Sequence, residues 1–344
     1  MNKISSFLKR KDIEFSINRY LITALSYMTY GLFASLIIGS ILNQIGLKLG
    51  IPFLSDVIWP IARKMTGPAI AAAVAYGLNA PILVVLSSII PGAIGGALGG
   101  PVGAFVAAVF AAEFGKLVSK ETKVDILITP TVTIIVGALA GQFVGPYIGD
   151  FMKWFGQLVV SATELQPFMM SIIVATLMGM ALTLPISSAA IGIMLGLSGL
   201  AAGAATVGCS AQMIGFAVMS FGVNGFSGLL SQGIGTSMLQ MPNIVRNWKI
   251  WIPPTLAGAI TAPLAVCYFK MTNTAIGSGM GTSGLVGQFG TVEAMEAAGN
   301  SSSSEIWIAI IVCHILIPAV LTLVFYALMR KLSLIKPQDL KLKN

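Results

Sequence analysis

Long stretches without a charged residue constrain this chain more than any other feature. The longest, 165–245, contains no Asp, Glu, Lys or Arg, and 65–112 is the next longest. A helix needs about 20 apolar residues to cross the roughly 30 Å hydrocarbon core of a bilayer, so the first stretch alone can supply three crossings. Only 9% of the residues are charged, against about 25% in soluble domains. The sequence therefore predicts an all-α integral membrane protein that crosses the bilayer many times.

The basic residues predict an orientation. The net charge is +8, and the Lys and Arg residues cluster at the ends of apolar stretches rather than along one soluble face. This distribution follows the positive-inside rule and argues against binding to nucleic acid. Residues 1–19 combine five basic side chains with apolar ones, which is typical of an interfacial amphipathic segment in contact with membrane lipids. We expect a multi-pass protein of the cell inner (plasma) membrane with both termini cytoplasmic.

The same charges predict a single membrane domain, 1–344, with about ten transmembrane helices. After the interfacial segment 1–19, repeat unit 1 covers 20–125, repeat unit 2 covers 126–222, and 223–344 contains re-entrant segments and the last two crossings. The stretch 223–241 is interpreted as re-entrant, because a full crossing there would place the C-terminal basic cluster outside. The predicted crossings are 20–46, 66–80, 82–99, 102–119, 127–148, 168–184, 186–203, 204–222, 253–270 and 306–329.

An internal repeat of about 105 residues supports this division. At a shift of 104 the first unit matches the second at seven positions, although the abundance of Gly and Ala makes some matches accidental. The first-unit positions are Ala71, Leu78, Pro81, Ile82, Gly92, Gly95 and Gly99, and their partners are Ala175, Leu182, Pro185, Ile186, Gly196, Gly199 and Gly203. Segments broken by Gly and Pro at corresponding places of two halves are typical of transport sites.

The segment 277–290, GSGMGTSGLVGQFG, contains the spacing of a dinucleotide-binding loop at Gly279, Gly281 and Gly284. That spacing indicates a nucleotide only between a strand and a helix of a soluble βαβ unit, and here it follows a long apolar run. Glycine permits irregular backbone, which survives at membrane depth only where protein or a water-filled cavity satisfies it. We therefore expect a re-entrant loop along a substrate path; an extracellular loop without a role is the alternative.

Three stretches carry a family resemblance. They are RYLITALSYMTYGLFASLIIG (19–39), NWKIWIPPTLAGAITAPLA (247–265) and MTNTAIGSGMGTSGLVGQFGTVEAM (271–295). They resemble the membrane (IIC) component of sugar phosphotransferase systems, an EIIC-type permease, in the branch that includes perfringolysin-regulator-like proteins. The resemblance covers almost the whole chain, and 247–290 is its most specific part.

The resemblance implies a homodimeric carrier that binds a sugar near mid-membrane while a separate IIB protein phosphorylates the sugar. Several branches bind substrate through the Glu of a Gly-Ile-Thr-Glu motif. Residues 290–293 are similar but read Gly-Thr-Val-Glu, so Glu293 is a candidate. No phosphate-carrying soluble domain is present, and the single histidine, His314, is interpreted as a packing or interhelix residue. Phosphotransfer would need separate IIA and IIB partners, since no autonomous catalytic site can be assembled.

Uncharged polar residues inside apolar stretches are the other candidates. A hydroxyl or amide facing hydrocarbon costs several kcal/mol unless it finds a partner, so each either bonds a neighbouring helix or contacts substrate. Such neutral groups suit a polyhydroxylated ligand. The predicted substrate-binding residues are Asn79, Ser187, Gln212, Asn224, Thr282, Ser283, Gln288 and Glu293. Neither a cofactor nor a metal site is expected.

Three functions remain open on the sequence alone. The first is a IIC-type carrier for a small polar solute, most simply a sugar, working by alternating access. The second is an ion- or proton-coupled secondary transporter, for which Glu113 would be the coupling group; an interfacial ion pair of Glu113 with Lys116 is the alternative. The third is a membrane sensor that regulates through a partner protein.

Overall fold

The computed structural model describes residues 3–16, 18–299 and 302–342, and its regular elements are helices, with no strand in this part of the chain. The chain divides into two compact units, Met1–Phe151 (unit 1) and Met152–Asn344 (unit 2). The division falls within a helix, whereas the predicted repeat boundary lies at 125/126. Within the described residues six helices are long and apolar enough to cross a membrane, which confirms a multi-pass membrane protein. The ten crossings and the repeat stay predictions.

Unit 1 begins with a short basic helix and continues in long apolar ones. Helix α7 extends past the end of the unit. The helices are α1 (Lys3–Arg10), α2 (Asn18–Leu49), α3 (53–64), α4 (Thr66–Gly77), α5 (Ile82–Ser87), α6 (Ile89–Val118) and α7 (Asp125–Thr163).

Helix α6 folds back on itself at Gly99 and Gly100. Gly100 has φ +59°, and a Cβ on Gly95 would lie 2.3 Å from the carbonyl oxygen of Gly103. At the far ends of the hairpin, Nζ of Lys116 donates to the carbonyl oxygen of Leu78 at 3.1 Å. Residues 82–118 therefore form two antiparallel helical arms, and the predicted break between crossings 82–99 and 102–119 coincides with this reversal.

Unit 2 packs its helices around one central helix, which is almost completely buried. That central helix is α10, and it contacts several of the others. The helices are α8 (Pro167–Thr183), α9 (Ser188–Met194), α10 (Gly199–Met219), α11 (Phe221–Leu230), α12 (Met241–Arg246), α13 (Trp248–Tyr268), α14 (Ala275–Ser278), α15 (Val286–Ala298) and α16 (Ser303–Lys331).

Glycine allows α8 and α10 to approach closely. A Cβ on Gly208 would lie 1.9 Å from the carbonyl oxygen of Ala175, and one on Gly179 would lie 2.7 Å from the carbonyl oxygen of Gly208. The hydrophobic effect does not hold helices together in lipid, so their association depends on close van der Waals contact, which small residues at the crossing permit. The crossing fixes the position of the polar side chains that α10 carries.

The C-terminal segment 334–342 is docked on unit 2. The side chains of Ile335 and Leu340 are buried in an apolar cluster with Phe216 and Met219 of α10. Amide side chains bind its backbone: Asn224 Nδ2 and Gln240 Nε2 donate to the carbonyl oxygen of Leu340 at 2.8 and 3.0 Å. The last residues described are therefore part of the packed structure.

Candidate functional site

The glycine-rich segment 277–290 is buried inside unit 2. All but three of its residues are inaccessible or nearly so, the exceptions being Met280, Leu285 and Phe289. Gly281 and Gly284 have positive φ, and a Cβ on Gly281 would lie 2.7 Å from the backbone of Cys209 on α10. Glycine is required here because the loop backbone lies directly against the central helix. Protein thus encloses this uncharged segment; that it re-enters a membrane along a substrate path stays a prediction.

Asn273 holds the start of this segment. Its Nδ2 lies 2.7 Å from Oγ1 of Thr206, 2.8 Å from the carbonyl oxygen of Gly287 and 3.0 Å from Oγ1 of Thr291. Its Oδ1 accepts the backbone N–H of Thr274 at 2.7 Å. The amide thereby ties α10, the loop and α15 together and has little bonding capacity left for a ligand.

Gln288 and His314 form the centre of the candidate site. Gln288 Nε2 lies 3.1 Å from Nδ1 of His314 and 3.4 Å from Oγ of Ser210. With the amide nitrogen donating, Nδ1 accepts and the ring proton lies on Nε2. Gln288 Oε1, His314 Nε2 and the hydroxyl of Ser283, which belongs to the same glycine-rich segment as Gln288, are buried without a hydrogen-bond partner. A buried polar atom left unpaired costs about 1–3 kcal/mol, which is the usual mark of a group that meets water or a ligand.

A second polar network lies on the same helix at Gln212. Its Oε1 accepts from Trp251 Nε1 at 3.1 Å and from Thr183 Oγ1 at 3.3 Å, while its Nε2 donates to Thr255 Oγ1 at 2.8 Å. Thr183 Oγ1 also lies 2.8 Å from Oγ of Ser237. Gln212 therefore joins α8 and α13 to α10, and its Oε1 accepts two hydrogen bonds while its Nε2 donates one.

Thr282 links the loop to the segment before α12. Its hydroxyl donates to the carbonyl oxygen of Gly233. Next to that carbonyl, Gln232 Oε1 accepts from Gln240 Nε2 at 2.8 Å, and Gln240 is one of the amides that bind the C-terminal segment. A continuous set of buried contacts thus connects the loop with the docked tail.

The structure brings some of the predicted site residues together and separates others. Gln212 lies on α10, and Thr282 and Gln288 contact that helix at Met213 and Ser210. Ser283 follows Thr282 in the loop, and the half-buried Ser187 precedes Ser188, whose hydroxyl donates to the carbonyl oxygen of Gly279 at 2.6 Å. The separated residues have other surroundings, namely Asn79 in unit 1, Asn224 against the tail and Glu293 exposed on α15.

Several site residues were missed from the sequence. Ser210, Thr206, Asn273 and Thr291 are uncharged polar residues within apolar stretches, so the criterion that selected Gln212 and Gln288 would also have found them. Asn273 in particular lies in the stretch that carries the family resemblance. His314 was interpreted as an interhelix residue; it does bond another helix, through Gln288, but it also presents an unpaired nitrogen.

The buried charges lie outside this site. Among the described residues only Glu113 and Lys116 are buried and charged, and both belong to unit 1. Their side chains form an ion pair at 2.9 Å, and Arg19 lies 3.7 Å from Glu113. The alternative in which Lys116 neutralises Glu113 is thus realised. In the described part of unit 2 every buried polar residue is uncharged, and no group of His, Cys, Asp and Glu in the described chain could hold a metal.

Apolar spanning helices around a loop that holds neutral, incompletely bonded polar groups define a multi-pass membrane permease. A comparison with family models agrees: the model for the phosphotransferase system EIIC family matches residues 22–342. The chain belongs to that family. Neither the curated proteins nor the solved structures contain a match to it.

Proposed function

We propose that this EIIC protein binds a sugar at Ser210, Ser283, Gln288 and His314 and moves it across the plasma membrane by alternating access. The observation that carries the proposal is the set of unpaired buried atoms, Gln288 Oε1, His314 Nε2 and Ser283 Oγ, beside the glycine-rich loop. Gln288 supplies an acceptor, His314 a donor and Ser283 either, so each of them can bond a hydroxyl group of a sugar.

The absence of buried charge in the described part of unit 2 favours a neutral solute. A charged substrate would need an opposite charge in the site, because an unpaired ion in a low-dielectric interior is costly. Hydroxyl groups need only donors and acceptors, and these are what the site provides. Sugar is the substrate class that fits both the site and the family.

Residues around this centre complete the proposed path. Gln212, Thr282 and Ser187 lie on or beside the elements that hold the centre, and we propose that they contact the sugar when those elements move. Asn79, Asn224 and Glu293 remain proposals from the sequence. Glu293 is exposed, so its carboxylate is accessible to a solute approaching α15.

Phosphotransfer, in this proposal, is performed by separate IIA and IIB proteins. His314, Cys209 and Cys313 are buried, which makes them unsuited to exchange phosphate with a soluble partner. The third cysteine, Cys267, is exposed but lies within the apolar spanning helix α13. We propose further that the carrier is a homodimer and that both of its termini lie in the cytoplasm. The IIB partner would then meet the sugar on that same, inner side. Chemical crosslinking in membranes, with labelling of added terminal tags from each side, tests these two points.

The principal experiment measures sugar binding and uptake by the purified protein in proteoliposomes. We expect one of a panel of radiolabelled sugars to exchange across the membrane without a donor, and to accumulate as its phosphate when phosphorylated IIB is enclosed. The Gln288→Leu variant should lose binding, whereas Gln157→Leu, at an exposed position of α7, should retain it.

Two results would contradict the proposal. Accumulation driven by an imposed ion gradient without any IIB protein would identify a secondary transporter. Absence of binding to every sugar in the panel, with altered gene expression but normal uptake in a deletion strain, would identify a sensor.

A further inference from the structure

One end of unit 1 carries a surface cavity with mainly cationic walls. Its volume is about 380 Å³. The charged residues that line it are Arg10, Lys11, Asp12, Lys116, Lys120 and Glu121. Four cations face two carboxylates, so the walls carry an excess of two positive charges.

The floor of the cavity is already neutralised. Lys116 pairs with Glu113 at 2.9 Å and donates to the carbonyl oxygens of Asp12 and Leu78 at 2.9 and 3.1 Å. Asp12 accepts from Arg19 at 2.8 Å, and this hydrogen bond lowers the pKa of the Asp12 carboxyl. Because these groups are bonded inward, the excess charge lies on Arg10, Lys11 and Lys120, which form the rim of the cavity. Nζ of Lys11 also donates to the carbonyl oxygen of Ser119.

Glu121 shows that the rim binds an oxyanion. Its Oε1 lies 2.9 Å from Nη2 of Arg10 and also contacts Nζ of Lys11. Lys120 lies beside them with φ +61°, and Asp125 Oδ1 holds this backbone by accepting its N–H at 2.6 Å. In the described part of the chain the ammonium group of Lys120 has no ion-pair partner. One carboxylate thus pairs with two cations while the third, Lys120, is unpaired, which leaves binding capacity for a second oxyanion.

We propose that this rim binds a phosphate oxyanion, held by Arg10, Lys11 and Lys120. Arg presents a planar fork of donors that fits phosphate oxygens, and the two Lys residues add point charges. Two sources share this chemistry, the phosphodiester of an anionic phospholipid and soluble phosphate. The cavity adjoins the basic helix α1 and the end of the apolar span Ile82–Val118, which is the level where lipid headgroups lie. The site is independent of sugar transport.

The experiment compares two double variants of the full-length protein with equal loss of charge. Arg10→Gln with Lys120→Gln removes rim cations, and Lys9→Gln with Lys123→Gln removes exposed cations of the same helix and connection that do not line the cavity. Native mass spectrometry of detergent-purified protein, titrated with phosphatidylglycerol or phosphatidylcholine, measures binding. We expect wild type to prefer phosphatidylglycerol, and the rim variant to bind it about tenfold more weakly than the matched control variant.

A third variant changes binding in the opposite direction. Glu121→Gln frees Arg10 and Lys11 and should tighten binding of the oxyanion severalfold, which a purely structural role of these residues does not predict. If inorganic phosphate binds and displaces phosphatidylglycerol with comparable affinity, the site is assigned to soluble phosphate; if only the lipid binds, it is assigned to the headgroup. Equal losses in the two double variants, weaker binding by Glu121→Gln, or no binding of either probe would overturn the proposal.

Discussion

The amide of Gln288 and the imidazole of His314 meet inside unit 2, with Nε2 of Gln288 3.1 Å from Nδ1 of His314. Each side chain orients the other and leaves one polar atom unpaired, Oε1 on the amide and Nε2 on the ring. The pair therefore combines rigidity with free hydrogen-bonding capacity, which is what recognition of a hydroxylated solute requires.

Replacing Gln288 by Leu should weaken both the site and the fold. The change leaves Nδ1 of His314 without a donor, and an unpaired buried polar group costs about 1–3 kcal/mol. We expect a lower midpoint of thermal unfolding in detergent and at least a tenfold loss of sugar affinity. The exposed Gln157→Leu change is the control, and an equal effect of both changes would show that the polar pair has no special role.

The change Gly208→Ala should disrupt the crossing of α8 and α10. Its Cβ would lie 1.9 Å from the carbonyl oxygen of Ala175, so the helices must separate or strain, at a cost of about 1–3 kcal/mol or more. A strong fall in the unfolding midpoint or in the yield of folded protein is expected. Gly222→Ala, where the added Cβ meets no atom within 4 Å, should leave both unchanged. Wild-type stability in Gly208→Ala would contradict the close crossing.

Truncating Leu340 to Ala should release the C-terminal segment. The side chain is fully buried, and loss of a buried Leu side chain costs about 2–5 kcal/mol. Faster hydrogen exchange is expected in 334–342 and also around Gln232 and Thr282, because hydrogen bonds connect these regions through Gln240. The control is Leu332→Ala, since that side chain is 60% exposed. Unchanged exchange near Thr282 would show that tail and loop are independent.

The contribution of the Glu121 ion pair to stability should be lost at acid pH. The hydrogen bond from Lys11 lowers the pKa of Glu121 below its ordinary value of 4.5, so the carboxylate stabilises the folded state above that value. This contribution is lost as the pH falls through the lowered pKa of the folded state. We expect wild type to unfold at a higher temperature than Glu121→Gln at pH 7, the difference to shrink as the pH falls below 4.5, and to vanish once the pH is below the lowered pKa of the folded state. A difference that persists at low pH would contradict ion pairing as its cause.

Features encoded by neighbouring residues could be predicted from the sequence. The Gly99–Gly100–Pro101 run predicts the break inside α6, because Gly100 can adopt the positive φ that the reversal requires. The spacing of Glu113 and Lys116 predicts their ion pair on one helical face. The uncharged, glycine-rich composition of 277–290 predicts a re-entrant loop rather than a solvated one; the structure shows the segment buried, and its re-entry stays a prediction.

Features that depend on residues distant in the sequence could not be predicted in this way. Gln288 and His314 are 26 residues apart, and no local pattern distinguishes a histidine that bonds an amide from one that packs on a helix. The sequence of the C-terminal segment 334–342 is polar and charged and does not predict burial. Its docking depends on Asn224 and Gln240, which bind its backbone from about a hundred residues earlier in the chain. The sequence likewise does not indicate that Arg19 bonds Asp12, because the two residues are seven apart and do not share a helix.

The reversal in α6 determines how topology experiments on this chain should be read. Reporter enzymes fused at Asn79 and at Lys123 bracket the hairpin, so both should give the same sidedness signal even though 43 residues of mostly apolar sequence separate them. A hydropathy plot that counts this stretch as one crossing instead of two assigns every later connection to the wrong side of the membrane. Scanning accessibility for the whole chain should therefore begin with a pair of labels on either side of Gly99 and Gly100.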